Sequence, residues 1–174
     1  MNLAIFFARK GKLDRAETEL RTALSIDPSF SPGAVNLADL DREMGRDDEA
    51  EAVLRQAMRH TSDDASLAYA LGLVKVRERQ HAEALNLFAT AARLDPSNAR
   101  YAYVYAIALN DAGATNAAID TLERSLKLNP YHRDSLVALV AFCDRVGDQA
   151  KALRYGRLLD ELAAKSAPAP KLSK

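Results

Sequence analysis

The sequence predicts an all-α protein in which helical hairpins of about 34 residues are stacked into an array. Three observations support this fold class. Alanine and leucine are plentiful, tryptophan is absent and glycine is sparse, and this composition favours helices over strands. Small residues recur in register at one fixed spacing, and Pro28, Pro96 and Pro130 are separated by multiples of the same 34 residues. A fixed period of this length is typical of solenoid proteins.

The small-residue columns indicate where the two helices of each hairpin cross. One column, read in steps of 34 residues, is alanine at every position: Ala16, Ala50, Ala84, Ala118 and Ala152. Two further columns are mostly small and contain Ala23, Ala57, Ala91, Ser125 and Leu159, and Ala4, Ala38, Gly72, Ala106 and Val140. A larger side chain at a close helix crossing would force the backbones apart. The columns therefore predict antiparallel helix pairs.

Residues 31–64 show how the elements of one repeat are expected to follow each other. Ser31 is a candidate N-cap for the first helix, with Pro32 at its first position, and Gly45 suits the left-handed residue that ends it. The second helix follows a short turn and begins in the acidic run 47–49, where negative charge favours the helix dipole. In the repeats that carry the periodic proline, that residue stops the second helix and turns the chain into the next pair.

Applied to the whole chain, the period predicts about five hairpins in order. The first of them is truncated in its first helix. The predicted ranges are 1–30, 31–64, 65–98, 99–132 and 133–166. Residues 167–174 are expected to form a disordered tail.

This pattern resembles the tetratricopeptide repeat family over about residues 1–164. The third repeat matches the family pattern best, because it has the leucine and small residue of the first helix, the alanines of the second helix and the proline: Leu71, Gly72, Ala84, Phe88, Ala91 and Pro96. The family's frequent first-helix tyrosine is replaced by Asp41 and Lys75, and the last repeat is the weakest match. The resemblance implies a right-handed superhelical α-solenoid that serves as a protein-interaction scaffold.

The resemblance also implies that a peptide or a helix of a partner binds in a concave groove lined by the first helix of each pair. The family's groove positions, four and then three residues apart on one helix face, are filled here by Val35, Asp39, Arg42, Tyr69, Leu73, Val76, Tyr103, Ile107, Asn110, Val137, Ala141 and Asp144. The central positions are apolar and aromatic, as in many binding sites: Tyr69, Leu73, Tyr103 and Ile107. The alternative is that these residues pack against neighbouring hairpins or are covered by the termini.

One subtype of the family grips the terminal carboxylate of its partner with basic and amide side chains. Asn36 lies near one such position, but Ser66 and Ala70 occupy the places where basic residues would be needed. The sequence therefore disfavours a carboxylate clamp. Three arginines could pair with acidic groups of a partner, although arginines on exposed helices are more often solvated: Arg77, Arg100 and Arg145.

The charge balance and hydropathy narrow the class of partner. The chain has 24 basic and 24 acidic residues, which gives no support for nucleic acid or an acidic membrane as a ligand. No run of about 18 apolar residues is present, so membrane insertion is not expected. The amino end lacks the features of a signal peptide, and the default location is the cytoplasm. The expected partner is a protein or peptide.

Residues able to perform catalysis are present but are not arranged for it. His60, His81 and His132 lie at different points of their repeats and do not have the spacing of a metal pair. Cys143 lies in an apolar column of a first helix, so a buried, unreactive thiol is expected. No phosphate-binding loop, haem-attachment motif or nucleophile elbow is found. We expect neither enzymatic activity nor a cofactor or metal.

Two further functions remain open at this stage. The array ends carry apolar residues that could stack between copies of the chain, and these are Phe6, Phe7, Leu153, Leu158 and Leu162. In addition, the run NARYAYVYAIALNDAG looks like the C-terminal arrays of some bacterial multihaem c-type cytochrome proteins. That looser resemblance implies an accessory domain of a larger protein and a periplasmic location.

Overall fold

The computed structural model describes residues 13–166, and every regular element within this range is an α-helix. Nine helices follow one another there: α1 (Leu13–Ile26), α2 (Ser31–Glu43), α3 (Asp47–His60), α4 (Ala65–Arg77), α5 (His81–Leu94), α6 (Ala99–Asp111), α7 (Thr115–Leu126), α8 (Arg133–Val146) and α9 (Gln149–Ser166). The predicted all-α class is confirmed. The predicted first helix of the truncated repeat and the predicted tail 167–174 lie outside the described residues.

The chain divides into two compact units, Met1–Asp95 and Pro96–Lys174. In the described part of the first unit, consecutive helices from α1 to α5 pack against each other, and α2 also packs on α4. In the second unit, α6 to α9 pack in the same way, and α6 also packs on α8. Each unit is thus a stack of hairpins in which the first helices of successive hairpins are neighbours.

The alanine column forms part of the core at every repeat. Its five members are all buried, and Ala50 and Ala118 have no exposed surface. Gly72 shows why a small residue is needed at the crossing of α4 with α5. A Cβ atom on Gly72 would lie 2.5 Å from Cε1 of Phe88, which is closer than real Cβ contacts come. The sequence prediction of close helix crossings is confirmed here.

Left-handed residues end the first helices of the hairpins. Gly45, Gly113 and Gly147 have φ values of 74°, 83° and 79°, and nothing lies within 4 Å of a Cβ atom built on any of them. Their requirement for glycine therefore comes from the backbone and not from crowding. In the third repeat the same position is Arg79, which adopts φ 61°.

The first turns of the helices are capped in more than one way. Asp64 caps α4, because its carboxylate accepts hydrogen bonds from the backbone N–H groups of Ser66 and Leu67 at 2.8 and 3.1 Å. The prediction that Ser31 caps α2 is wrong: Ser31 is the first helical residue, and Phe30 takes the N-cap position without a side-chain hydrogen bond. The ring of Phe30 lies against Gly33, where a Cβ atom would come within 2.5 Å of Cδ1. Ring packing thus replaces the polar cap.

Candidate partner-binding surfaces

In the first unit the predicted groove residues lie on α2 and α4, and we call them the first-helix face of this unit. On α2, Val35 and Arg42 are half-buried, and Asp39 is exposed. Arg42 and Asp39 form an ion pair of 2.5 Å within the helix. The α2 part of the face therefore carries charge that is already internally paired.

The α4 part of this face is apolar. Tyr69 and Leu73 are half-buried, and Val76 is 42% exposed. The ring of Tyr69 lies 6.0 Å from that of Phe88 at an angle of 47°, so part of it packs inside the hairpin. These three side chains follow each other at spacings of four and three residues, which keeps them on one side of the helix. A rigid aromatic ring with aliphatic neighbours is a suitable anchor for an apolar ligand side chain.

The second unit carries a corresponding face on α6 and α8. Tyr103 and Ile107 are half-buried, and Val137 is 45% exposed. The ring of Tyr103 meets the imidazole of His132 edge-on, with 6.1 Å between the ring centroids. Ala141 and Asp144 are exposed further along α8.

Asn110 belongs to this predicted set but is already bound within the unit. It is 9% exposed, and its side-chain oxygen accepts hydrogen bonds from Arg145 at 2.7 Å and from Thr115 at 3.2 Å. Asn110 therefore links α6 to α7 and α8. This link could not be predicted from the sequence, because Arg145 lies a full repeat away from its partner.

The positions that a carboxylate clamp would use hold no basic group. The Ser66 hydroxyl donates a hydrogen bond to Asp64 at 2.5 Å, and Ala70 is buried. Two of the arginines considered as partner contacts are engaged within the protein, since Arg77 forms an ion pair with Asp47 at 2.7 Å and Arg145 donates a hydrogen bond to Asn110. The basic residues of the clamp therefore have no counterpart at these two positions.

A buried lysine is another structural feature that the sequence did not reveal. The Lys75 side chain is 3% exposed, and its ammonium lies 2.5 Å from Glu51 and 2.8 Å from Glu78. Burial lowers the pKa of Lys75, but the hydrogen bonds to the two glutamates outweigh this and raise it above its usual range. The lysine therefore stays charged and joins α4 to α3.

A buried aspartate occupies the same column one repeat earlier. Asp41 has no exposed surface and pairs with Arg46, which also binds Glu17 at 2.7 Å. The second carboxylate oxygen of Asp41, Oδ2, has no hydrogen-bond partner. Burial raises the pKa of Asp41 above its usual range, and the lowering effect of Arg46 does not compensate. Both charges stand where the family often has an aromatic residue.

The residues with possible chemical reactivity are separated. Cys143 is fully buried, and burial raises the pKa of its thiol, so the predicted buried cysteine is confirmed. His132 caps α8 and lies 2.8 Å from the Ser135 hydroxyl, while His60 and His81 are exposed. Within residues 13–166, no group of three His, Cys, Asp or Glu side chains could hold a metal ion. None of the helices described here is long and apolar enough to cross a membrane.

The stacked hairpins and their exposed helix faces define an α-helical repeat protein. Family models described as tetratricopeptide repeat match residues 7–73 and 69–133. The chain belongs to the tetratricopeptide repeat family, and proteins of this family are generally non-catalytic scaffolds. No curated protein matches the sequence.

Solved structures of several repeat proteins share this fold. MamA is 19% identical, with a TM-score of 0.79, over 95% of this chain and 96% of that one. PilF of Pseudomonas aeruginosa is 21% identical, with a TM-score of 0.79, over 91% of this chain and 72% of that one. YrrB, described as a tetratricopeptide repeat protein with an unusual peptide-binding site, is 20% identical over 94% and 84%, with a TM-score of 0.71. At these identities the likeness establishes the fold.

Proposed function

We propose that this protein is an interaction scaffold that binds a peptide or a helix of a partner protein on the exposed faces of its first helices. The observation that supports this most directly is the pairing of a half-buried tyrosine with aliphatic side chains that are half-buried or exposed on each unit. Tyr69 stands beside Leu73 and Val76 on α4, and Tyr103 stands beside Ile107 on α6. The peptide-binding site described for YrrB shows that this fold can support such a role.

The experiment is a binding measurement with a partner isolated by affinity capture from the source cells. Tyr69→Ala and Tyr103→Ala remove one anchor from each unit, and each should weaken binding by about 2 kcal/mol. Tyr105→Ala is the matched control, because Tyr105 lies two residues beyond Tyr103 and therefore on a different side of α6. Unchanged affinity in the Tyr69→Ala, Tyr103→Ala double variant would show that the faces are not the binding surface.

Self-association is a second candidate, and one comparison of exposure favours it. Leu153 on α9 is 63% exposed, whereas Ile119, one repeat earlier on α7, is 5% exposed. Helix α8 packs on α7, but no described helix follows α9 to cover Leu153 in the same way. A second copy that stacks on this end would bury Leu153 together with the half-buried Leu158 and Leu162. Phe6 and Phe7, predicted for the opposite end, lie outside the described residues.

Light scattering over a concentration series tests this candidate. The average mass of the wild-type protein should rise with concentration, and Leu153→Glu should abolish the rise. Leu128→Glu is the matched control, since Leu128 is 60% exposed but lies in the turn after α7. A wild-type protein that stays monomeric at every concentration would exclude stacking.

The looser similarity to cytochrome-linked arrays gives a third hypothesis, that of an accessory domain. It rests on residues 98–113 alone. Sequencing the coding region upstream of Met1 tests it, because Cys-x-x-Cys-His motifs in the same reading frame would support it. A stop codon directly upstream would contradict it.

A further inference from the structure

The second unit contains a hollow between α7 and α9, away from the first-helix faces. It has a volume of about 480 Å³, which is within the usual range for ligand pockets. Its apolar lining comes from Leu126, Pro130 and Leu158, and two tyrosines, Tyr131 and Tyr155, complete the wall. A space of this size and composition can accept one large apolar side chain.

The two tyrosines of the hollow are held differently. Tyr155 is buried, and its hydroxyl donates a hydrogen bond of 2.7 Å to Glu123. This contact fixes the ring as a rigid wall. Tyr131 is 62% exposed, and the ammonium of Lys165 lies 5.4 Å from the centre of its ring. The open tyrosine is thus available to a ligand and has a positive charge beside it.

Basic residues around the hollow outnumber the acidic residues that could neutralise them. Lys151 pairs with Glu123 at 2.9 Å, so this pair has little net effect. Arg154 lies over the Tyr155 ring at 5.7 Å, and Lys127 forms no ion pair in the described part of the chain. With Lys165 included, three cations face one remaining acidic residue of the lining, Glu161. The rim therefore favours a negatively charged ligand.

The same repeat positions form a smaller hollow in the first unit, and its chemistry is different. Its volume is about 240 Å³, and it lies between α1 and α3. Leu24 and Pro28 stand three repeat lengths before Leu126 and Pro130, so the hollow itself follows from the repeat geometry. Ser25 and Val53 stand where the second unit has Lys127 and Tyr155. The aromatic wall and the basic rim are specific to the second unit.

We propose that the hollow between α7 and α9 is a second interaction site, which binds an acidic segment of a partner protein. An aromatic or aliphatic side chain of that segment enters between Leu126, Tyr131 and Leu158. Carboxylates on either side of it lie near Lys127 and Arg154. The chain's own residues 167–174 carry Lys171 and Lys174 and no acidic residue, so they match this rim poorly.

The test uses the full-length, ¹⁵N-labelled chain and two synthetic peptides. One is a blocked Asp-Glu-Asp-Phe-Leu-Asp-Glu-Asp peptide, and in the other lysine replaces every acidic residue. We expect the acidic peptide to shift the amide resonances of Tyr131 and Leu158 at concentrations up to about 1 mM, and the basic peptide to leave them in place. Shifts confined to Tyr69 and Tyr103 would place binding on the first-helix faces and would overturn the proposal.

Charge reversal at the rim provides the second arm. Lys127→Glu with Arg154→Glu should weaken binding of the acidic peptide by at least about tenfold. Arg59→Glu with Arg93→Glu is the matched control, because it makes the same change in net charge at exposed positions of the first unit. If both double variants weaken peptide binding equally, the net charge of the protein explains the loss, and the proposed site in the hollow is contradicted.

Other occupants of the hollow give distinct results. If deletion of residues 167–174 shifts Tyr131 and Leu158 without any peptide, the chain's own tail fills the hollow and the proposal fails. If the same resonances shift on dilution alone, a second copy fills it and the proposal also fails. The affinity measurement tests Tyr69 and Tyr103, whereas this test follows Tyr131 and Leu158. A negative result for the first-helix faces therefore does not decide the result for the hollow.

Discussion

Two buried charges in one repeat column differ in how well they are satisfied. Lys75 is enclosed by two carboxylates, whereas Asp41 has one guanidinium and an oxygen without a partner. When the hydrogen bonds of a buried charge are incomplete, the free energy of its desolvation exceeds the stabilisation from its ion pair. The two residues therefore have opposite expected effects on stability.

Asp41→Asn should stabilise the protein by about 1 kcal/mol at neutral pH. The pKa of Asp41 in the folded protein is raised above the ordinary 3.8, so the protonated carboxyl group of the wild type adds to stability below pH 3.8. This contribution to stability is lost as pH rises through the folded-state pKa. The advantage of the variant should therefore grow between about pH 3 and pH 7. Urea denaturation over this range measures it. A difference between Asp41→Asn and the wild type that does not change with pH would contradict the argument.

Lys75→Met should destabilise the protein by about 3 kcal/mol, because it leaves Glu78 as a partly buried charge without its cation and leaves Glu51 with Arg55 as its remaining partner. Adding Glu51→Gln and Glu78→Gln should recover much of the loss, and urea denaturation of the series measures both steps. Lys151→Met breaks an exposed pair and should have a much smaller effect. If the added glutamines deepen the loss, uncompensated charge is not its cause.

At the scale of the element, the helices follow local rules that the sequence displays directly. The predicted helix starts, at Pro32 and in the acidic run 47–49, agree with the starts of α2 and α3 to within one residue or fall in the predicted run. The turn glycines could be recognised because each depends on its own backbone conformation, and the small columns could be recognised because they recur at a fixed period. Ser31 was predicted as the cap in error, because the ring of Phe30 packs against Gly33 and a capping pattern does not contain such packing.

Arg79→Gly should stabilise the turn between α4 and α5 by about 1 kcal/mol, because a non-glycine residue at φ 61° carries steric strain that glycine avoids. The reverse change, Gly113→Arg, should destabilise the corresponding turn by a similar amount. Thermal or urea unfolding measures both variants. Loss of stability in Arg79→Gly would mean that the arginine side chain contributes more than its backbone costs.

The scale of the whole molecule shows where sequence reasoning reaches its limit. Faces of single helices could be predicted from spacing, and most predicted groove residues are exposed or half-buried, but their role in binding stays a prediction. The partners of Asn110, Asp41 and Lys75 could not be predicted, because they depend on which side chains of different helices meet. The hollow between α7 and α9 likewise arises only when two repeats are in contact.

Gly72→Ala should destabilise the first unit by about 2 kcal/mol, because the added Cβ meets the Phe88 ring at 2.5 Å. Each unit has its own internal packing, so residue-resolved hydrogen exchange should show lost protection in α4 and α5 and little change in α8 and α9. Ala82→Gly, at an exposed position in the first turn of α5, is a control that removes a methyl group without a clash. Equal loss of protection in all helices would show that the chain opens as one cooperative block.

The contact between Lys75 and Glu51 has a consequence for how such a chain can change in evolution. Two repeats later, the same two positions hold Cys143 and Ile119, which carry no charge. If recombination exchanged the hairpins, the ammonium would face an aliphatic side chain, and the glutamate would face a thiol. Hairpins of almost identical length are therefore not interchangeable here, because their exchange would separate one matched pair of opposite charges.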